Sequence, residues 1–165
     1  MRVIGIDPGI ALTGYAIVDY KNGQYRVIEY DKIETLPNMR KSQRLFAIHN
    51  RLSDIISKYN PDVAAIEELF FNKNAKTVIT VGESRGVIIL SFVEKGIPIY
   101  EYTPLQVKQS ITGYGRATKV QIQNVVKMLL NLKEVPKPDD VADALAVSIC
   151  HLNNATSLIS QEEQI

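Results

Sequence analysis

Arg2-Val3-Ile4-Gly5-Ile6-Asp7-Pro8-Gly9 decides the fold. A short apolar run meets a single carboxylate, and a Pro-Gly pair follows at once. That is the pattern of a buried strand ending in an acid. Gly9 to Gly14 reads as a turn, and Tyr15-Ala16-Ile17-Val18 begins a second strand, so the two form a hairpin. Lys21-Asn22-Gly23 carries an Asn-Gly turn signal, and a third strand follows from Gln24 to about Ile33. Three strands joined by tight turns make an antiparallel meander.

Outward from this unit the period changes. From Met39 to Tyr59, Leu45, Ile48, Leu52, Ile55 and Ile56 keep helical spacing, and Asn60-Pro61-Asp62 stops that helix. Val63 to Glu67 is a second buried strand ending in an acid. Asn74 to about Glu94 reads as a helix, with Gly96 as its C′ residue. Ile97-Pro98-Ile99-Tyr100 is a fifth strand whose proline favours a sheet edge. Thr103-Pro104-Leu105-Gln106 carries a capping residue, a proline at the first helical position and a glutamine at the third, opening a short helix to about Ser110. Ala117 to Asn131 reads as a basic amphipathic helix and Pro138 to about Leu152 as the last one. The order predicts an α/β fold: a five-stranded mixed sheet, its first three strands antiparallel, flanked by helices on both sides. The first strand belongs at the centre, because the fourth returns parallel beside it through a right-handed crossover. No repeat or linker divides the 165 residues, so 1–158 read as one domain and 159–165 as a short, poorly ordered polar tail.

Composition is that of an ordinary globular chain, with 22% charged residues and a net charge of only +1. The sum hides an uneven distribution. Lys108, Arg116, Lys119, Lys127 and Lys133 follow one another with no acid between them, and Arg40, Lys41, Arg44, Arg51 and Lys58 face only Asp54. A basic face around an acidic pocket suits nucleic acid. No apolar run reaches membrane-spanning length, and the first strand begins at residue 2, leaving no room for a signal peptide; a cytoplasmic protein is expected. Cys150, the single cysteine, lies in an apolar stretch and reads as a buried thiol. His49 and His151 lack zinc-site spacing.

Four carboxylates carry the chemistry. Asp7 and Glu67 end parallel neighbouring strands, at the edge where open α/β sheets place their ligand crevices. Glu68 stands next to Glu67 on the opposite face, and pattern alone does not choose between them. Asp140 and Asp143 share a helix face three residues apart, among apolar neighbours. Either pair alone has a structural reading, as a turn initiator or as acids favoured by a helix N-terminus. Together they form a cage of hard oxygen ligands suited to Mg²⁺, with Mn²⁺ able to substitute. Two ions so held hydrolyse phosphodiesters. In that scheme Asp7 bridges both ions, Glu67 and Asp143 complete opposite sides, and Asp140 is the remaining ligand or polarises the attacking water. Lys119 or Lys108 holds a phosphate nearby.

At this point the motifs resemble a known family. Gly5-Ile6-Asp7-Pro8-Gly9, Thr13-Gly14-Tyr15, Ala65-Ile66-Glu67-Glu68-Leu69-Phe70, Lys73-Asn74-Ala75, Ser84-Arg85-Gly86-Val87, Gln106-Val107-Lys108-Gln109 and Ala142-Asp143-Ala144-Leu145-Ala146 occur in the order of the RuvC Holliday-junction resolvases. The resemblance implies a single RNase H-like nuclease domain. It implies a homodimer that cuts opposed strands of a four-way DNA junction in recombination and repair, leaving 5′-phosphate and 3′-hydroxyl ends. It favours Glu67 over Glu68 and places the other acids at Asp7, Asp140 and Asp143. Asp140 is the position that varies in the family, between Asp and His. Lys108 and Lys119 match lysines that handle DNA, and Phe70 matches an aromatic that stacks near the crossover, with Phe71 beside it. Lys73, Arg85 and Arg116 join the expected DNA-binding set. Branch-migration partners RuvA and RuvB are implied by family context.

Three rivals compete. An actin-like or sugar-kinase phosphate-binding domain shares the first hairpin but needs two such domains. A DNA-binding module with a structural metal explains four converging acids poorly, because they repel phosphate. An RNase H-like nuclease acting on hybrids or other branched nucleic acid shares the metal chemistry.

Overall fold

The computed structural model describes residues 1–68 and 75–162. Five strands form one sheet in the order β3-β2-β1-β4-β5. They are β1 (Arg2–Asp7), β2 (Leu12–Lys21), β3 (Gln24–Glu34), β4 (Val63–Glu67) and β5 (Ile99–Tyr102). β1 is central, antiparallel to β2 and parallel to β4, and β5 with its preceding proline is an edge. Asn22 and Gly23 both take positive φ, 53° and 76°, the geometry of a tight hairpin turn.

Helices cover both faces. α1 (Lys41–Tyr59) and α2 (Ala75–Val93) pack together on one side, over Ile4, Ile6, Ile17 and Ile66. α3 (Pro104–Thr112), α4 (Lys119–Leu129) and α5 (Asp139–Glu162) cover the other, over Val3, Val18 and Ala65. Side chains alternate along a strand, so this division sets the direction of the strand ends. Val3 lies on the α5 side, and Asp7 follows it by an even number of residues. Ala65 lies on the α5 side, so Glu67 points there as well. Register thus turns Glu67, rather than Glu68, to the α5 side; the Glu68 backbone N–H donates to Tyr102 O at 2.8 Å.

Several boundaries differ from the sequence reading, among them that β5 is Ile99–Tyr102 rather than 97–100 and that α1 starts at Lys41 rather than Met39. β2 starts at Leu12 rather than Tyr15, because Leu12 and Thr13 pair with Glu34 and Ile33 of β3 beyond the end of β1. α4 starts at Lys119 rather than Ala117: Thr118 and Gln121 form a reciprocal capping box, and Ala117 is buried in the loop before it. α5 runs past Leu152 to Glu162, since neither glycine nor proline follows to stop it. Among the described residues no helix is long and apolar enough to cross a membrane.

Candidate active site

Two glycines bring α5 to the sheet. A Cβ at Gly14, which pairs with Asp7, would stand 2.0 Å from the Asp140 carbonyl oxygen. A Cβ at Gly5 would stand 2.1 Å from the Ala144 carbonyl oxygen and from Ser148 Oγ. Only the missing side chains let the helix backbone lie this close. The first turns of α5 therefore hang over the ends of β1 and β4, and Asp140 and Asp143 arrive beside Asp7 and Glu67.

Electrostatics shows how close the four carboxylates are. Burial, then Glu67, Asp143 and Asp140 in turn, push Asp7 up to about 8 from an ordinary 3.8; Lys119 opposes them. Burial and then Asp143 lift Glu67 to about 7, against Lys119 and Lys108. Asp143 is raised by burial and pulled back by Lys119. Lys119 Nζ lies 2.9 Å from Asp143 Oδ2 and 3.4 Å from Asp139 Oδ2. Burial works against the Lys119 charge, but Asp143 and Asp139 outweigh it and hold the ammonium above its ordinary range. Among the described residues, no three acidic, histidine or cysteine side chains close on one point as a finished chelate; Asp143 is turned to Lys119. The donor set is nonetheless all carboxylate oxygen, repelled by its own charge. That chemistry fits hard divalent cations such as Mg²⁺ or Mn²⁺.

A cleft leads to this point, lined by Glu67, Pro104, Val107, Lys108, Lys119, Ile122, Asp143 and Ala146. Lys108 comes from α3 and Lys119 from the start of α4, so two separate helices set cations on one wall. Arg116 is exposed on the loop between those helices. Arg85 is engaged elsewhere: its Nη2 meets Glu101 Oε1 of β5 at 2.7 Å, and its side chain is only 18% exposed. Phe70, Phe71 and Lys73 lie outside the described residues. Asp139 and Gln123 escaped the sequence reading. Asp139 stands four residues before Asp143, a helical spacing that would have flagged it. Gln123, one turn beyond Lys119, carried no signal in its residue type.

A sheet of this order, with acids at the C-terminal ends of two central parallel strands and a facing helix, defines an RNase H-like nuclease of the metal-dependent kind. The family model for the crossover junction endodeoxyribonuclease RuvC matches residues 3–151, and the chain belongs to that family. It is 62% identical to the crossover junction endodeoxyribonuclease RuvC of Caldicellulosiruptor saccharolyticus, over 100% of both chains. It is 58% identical to that of Caldanaerobacter subterraneus, over 96% of each. The structure of T. thermophilus RuvC in complex with Holliday junction substrate superposes with a TM-score of 0.88 at 32% identity, covering 95% of this chain and 96% of that one.

Proposed function

We propose that this chain resolves four-way DNA junctions in recombination and repair, cutting two opposed strands to leave 5′-phosphate and 3′-hydroxyl ends. The observation that carries the reading is that Asp7 is coupled to Glu67 and Asp143, which line a cleft whose wall bears Lys108 and Lys119. Asp7, Glu67, Asp140 and Asp143 are the residues that would hold two Mg²⁺ ions. The ions, when bound, supply a water nucleophile at neutral pH and stabilise the leaving 3′ oxygen. Burial of Asp7 and Glu67 keeps bulk water from screening their charge. Lys108 and Lys119 hold the backbone phosphate against the carboxylates, and Arg116 extends the track along one arm. The family resemblance gives Phe70 and Phe71 the role of stacking on bases at the crossover and Lys73 that of a DNA contact. Arg85, through its clasp on Glu101, ties α2 to β5.

A second copy completes the assembly. Phe46 of α1 and Ile79, Leu90 and Val93 of α2 are exposed apolar side chains on adjoining helices. They form the proposed homodimer face, and its two-fold axis matches the symmetry of a junction. Leu90→Glu is expected to raise the dimer dissociation constant at least about tenfold, and to turn paired cuts into single nicks. Sedimentation and nick mapping on a supercoiled cruciform read both effects. The family context adds RuvA and RuvB as partners and a cytoplasmic setting.

Cleavage of a synthetic four-way junction, a linear duplex and an RNA–DNA hybrid, each with and without Mg²⁺, tests the function. Symmetric, Mg²⁺-dependent cuts on the junction alone are expected. Comparable cutting of the hybrid would move the reading to an RNase H activity.

A further inference from the structure

Asp139 has no part in the roles given above, yet it touches the lysine that guards the site. It opens α5 four residues before Asp143, so both carboxylates project from one helix face. The Lys119 ammonium lies between them, 2.9 Å from Asp143 and 3.4 Å from Asp139. The other oxygen of Asp139 accepts a hydrogen bond from Gln123 Nε2 at 3.1 Å. Gln123 belongs to α4, one turn after Lys119, and is only 9% exposed, so it holds Asp139 from a packed position. Lys137 approaches Asp139 only to 3.9 Å, from a largely exposed side chain.

We infer that Asp139 is a positioning residue: a fixed second seat for the Lys119 ammonium, which lets Lys119 yield Asp143 to a divalent cation without leaving the cleft. The inference rests on the reading of Asp7, Glu67 and Asp143 as ion ligands. A lysine and a dication compete for the same carboxylate oxygens, and the dication's presence also repels the ammonium. With Asp143 as its single partner, Lys119 would either resist the ion or swing into solvent. With Asp139 beside it, a small rotation of its flexible stem exchanges one carboxylate for the other. The ammonium then stays paired, at the cleft wall where a phosphate passes. Gln123 matters because it holds Asp139 while Lys119 changes partner. Asp139 itself sits below the ordinary carboxylate range, held first by the Gln123 amide and then by Lys119.

Mn²⁺ binding to the full chain without DNA, read by calorimetry and by the loss of free-ion EPR signal, tests this. The set is the unaltered protein, Asp139→Asn, Lys119→Met and the double variant. Lys119→Met is expected to tighten Mn²⁺ binding, because the competitor is gone. Asp139→Asn should weaken it roughly two- to fivefold, the scale of an exposed ion pair, because Lys119 then commits to Asp143. The double variant should bind like Lys119→Met alone. If Asp139→Asn weakens binding equally in both backgrounds, Asp139 acts on the ion directly and the inference is overturned. Unchanged affinity in the Asp139→Asn protein overturns it too. Absence of any Mn²⁺ binding to the unaltered protein would instead sink the ligand reading beneath it.

Discussion

Asp7→Asn is expected to lower junction cleavage at least about a thousandfold while making the metal-free protein harder to melt. The two effects have one cause. Asparagine keeps the shape of aspartate and removes its charge. Without the charge, the residue proposed to bridge both ions loses its hold on them. The same change removes a carboxyl that must either hold a proton or stand as an anion against Glu67, Asp143 and Asp140. Relief of that cost is worth about 0.5–2 kcal/mol, the scale of a single stabilising change at a strained functional position. For a chain of this size that raises the melting temperature by about 1–8 °C.

The pH dependence carries the same signature. A carboxyl pushed to about 8 stays protonated in the folded chain where the unfolded chain, near 3.8, has released its proton. The folded state then binds more protons, so stability falls as pH rises through that interval. Glu67, at about 7, adds to the slope. Melting of the metal-free protein from pH 4 to pH 8 should therefore show a decline that Asp7→Asn flattens and that Mg²⁺ reverses. Junction binding in Ca²⁺, measured by gel shift, should survive the substitution. If Asp7→Asn melts lower than the unaltered protein, Asp7 is a turn residue serving the Pro8-Gly9 bend, and the cluster is not a cation trap.

What the sequence made legible was local. The Asn22-Gly23 turn, the Thr103-Pro104-Gln106 cap and the apolar runs into Asp7 and Glu67 each depend on a few adjacent residues, and each stands where its pattern put it. The centrality of β1 followed from one crossover rule. What was hidden depends on pairing at a distance. Residue pattern does not separate Glu67 from Glu68, and the face that Ala65 takes does. Arg85 looked like a free cation because Glu101 lies on another element. Asp139 drew no reading at all, because its partners Lys119 and Gln123 come to it from α4. Side chains that act in pairs across the fold leave half of their signal at each of two unrelated positions.

Gly14→Ala tests whether the site depends on the approach of α5 to the sheet. The added methyl would stand 2.0 Å from the Asp140 carbonyl oxygen, 2.4 Å from its carbon and 3.0 Å from Val141 N. All three are backbone atoms of the first turn of α5, so no side-chain rotation relieves the clash. The helix start must retreat by about an ångström, since contacts under 3.0 Å are not tolerated. Overpacking of this kind costs about 1–3 kcal/mol, and the chain should still fold. Displacing catalytic groups by about 1 Å costs about a hundredfold in rate, because Asp140 and Asp143 move while Asp7 and Glu67 stay. Cleavage should therefore fall far more than melting temperature, with junction binding retained. A folded Gly14→Ala protein that cuts junctions at the normal rate would show that the helix carboxylates need not close on β1. The chemistry would then belong to the two strand acids alone.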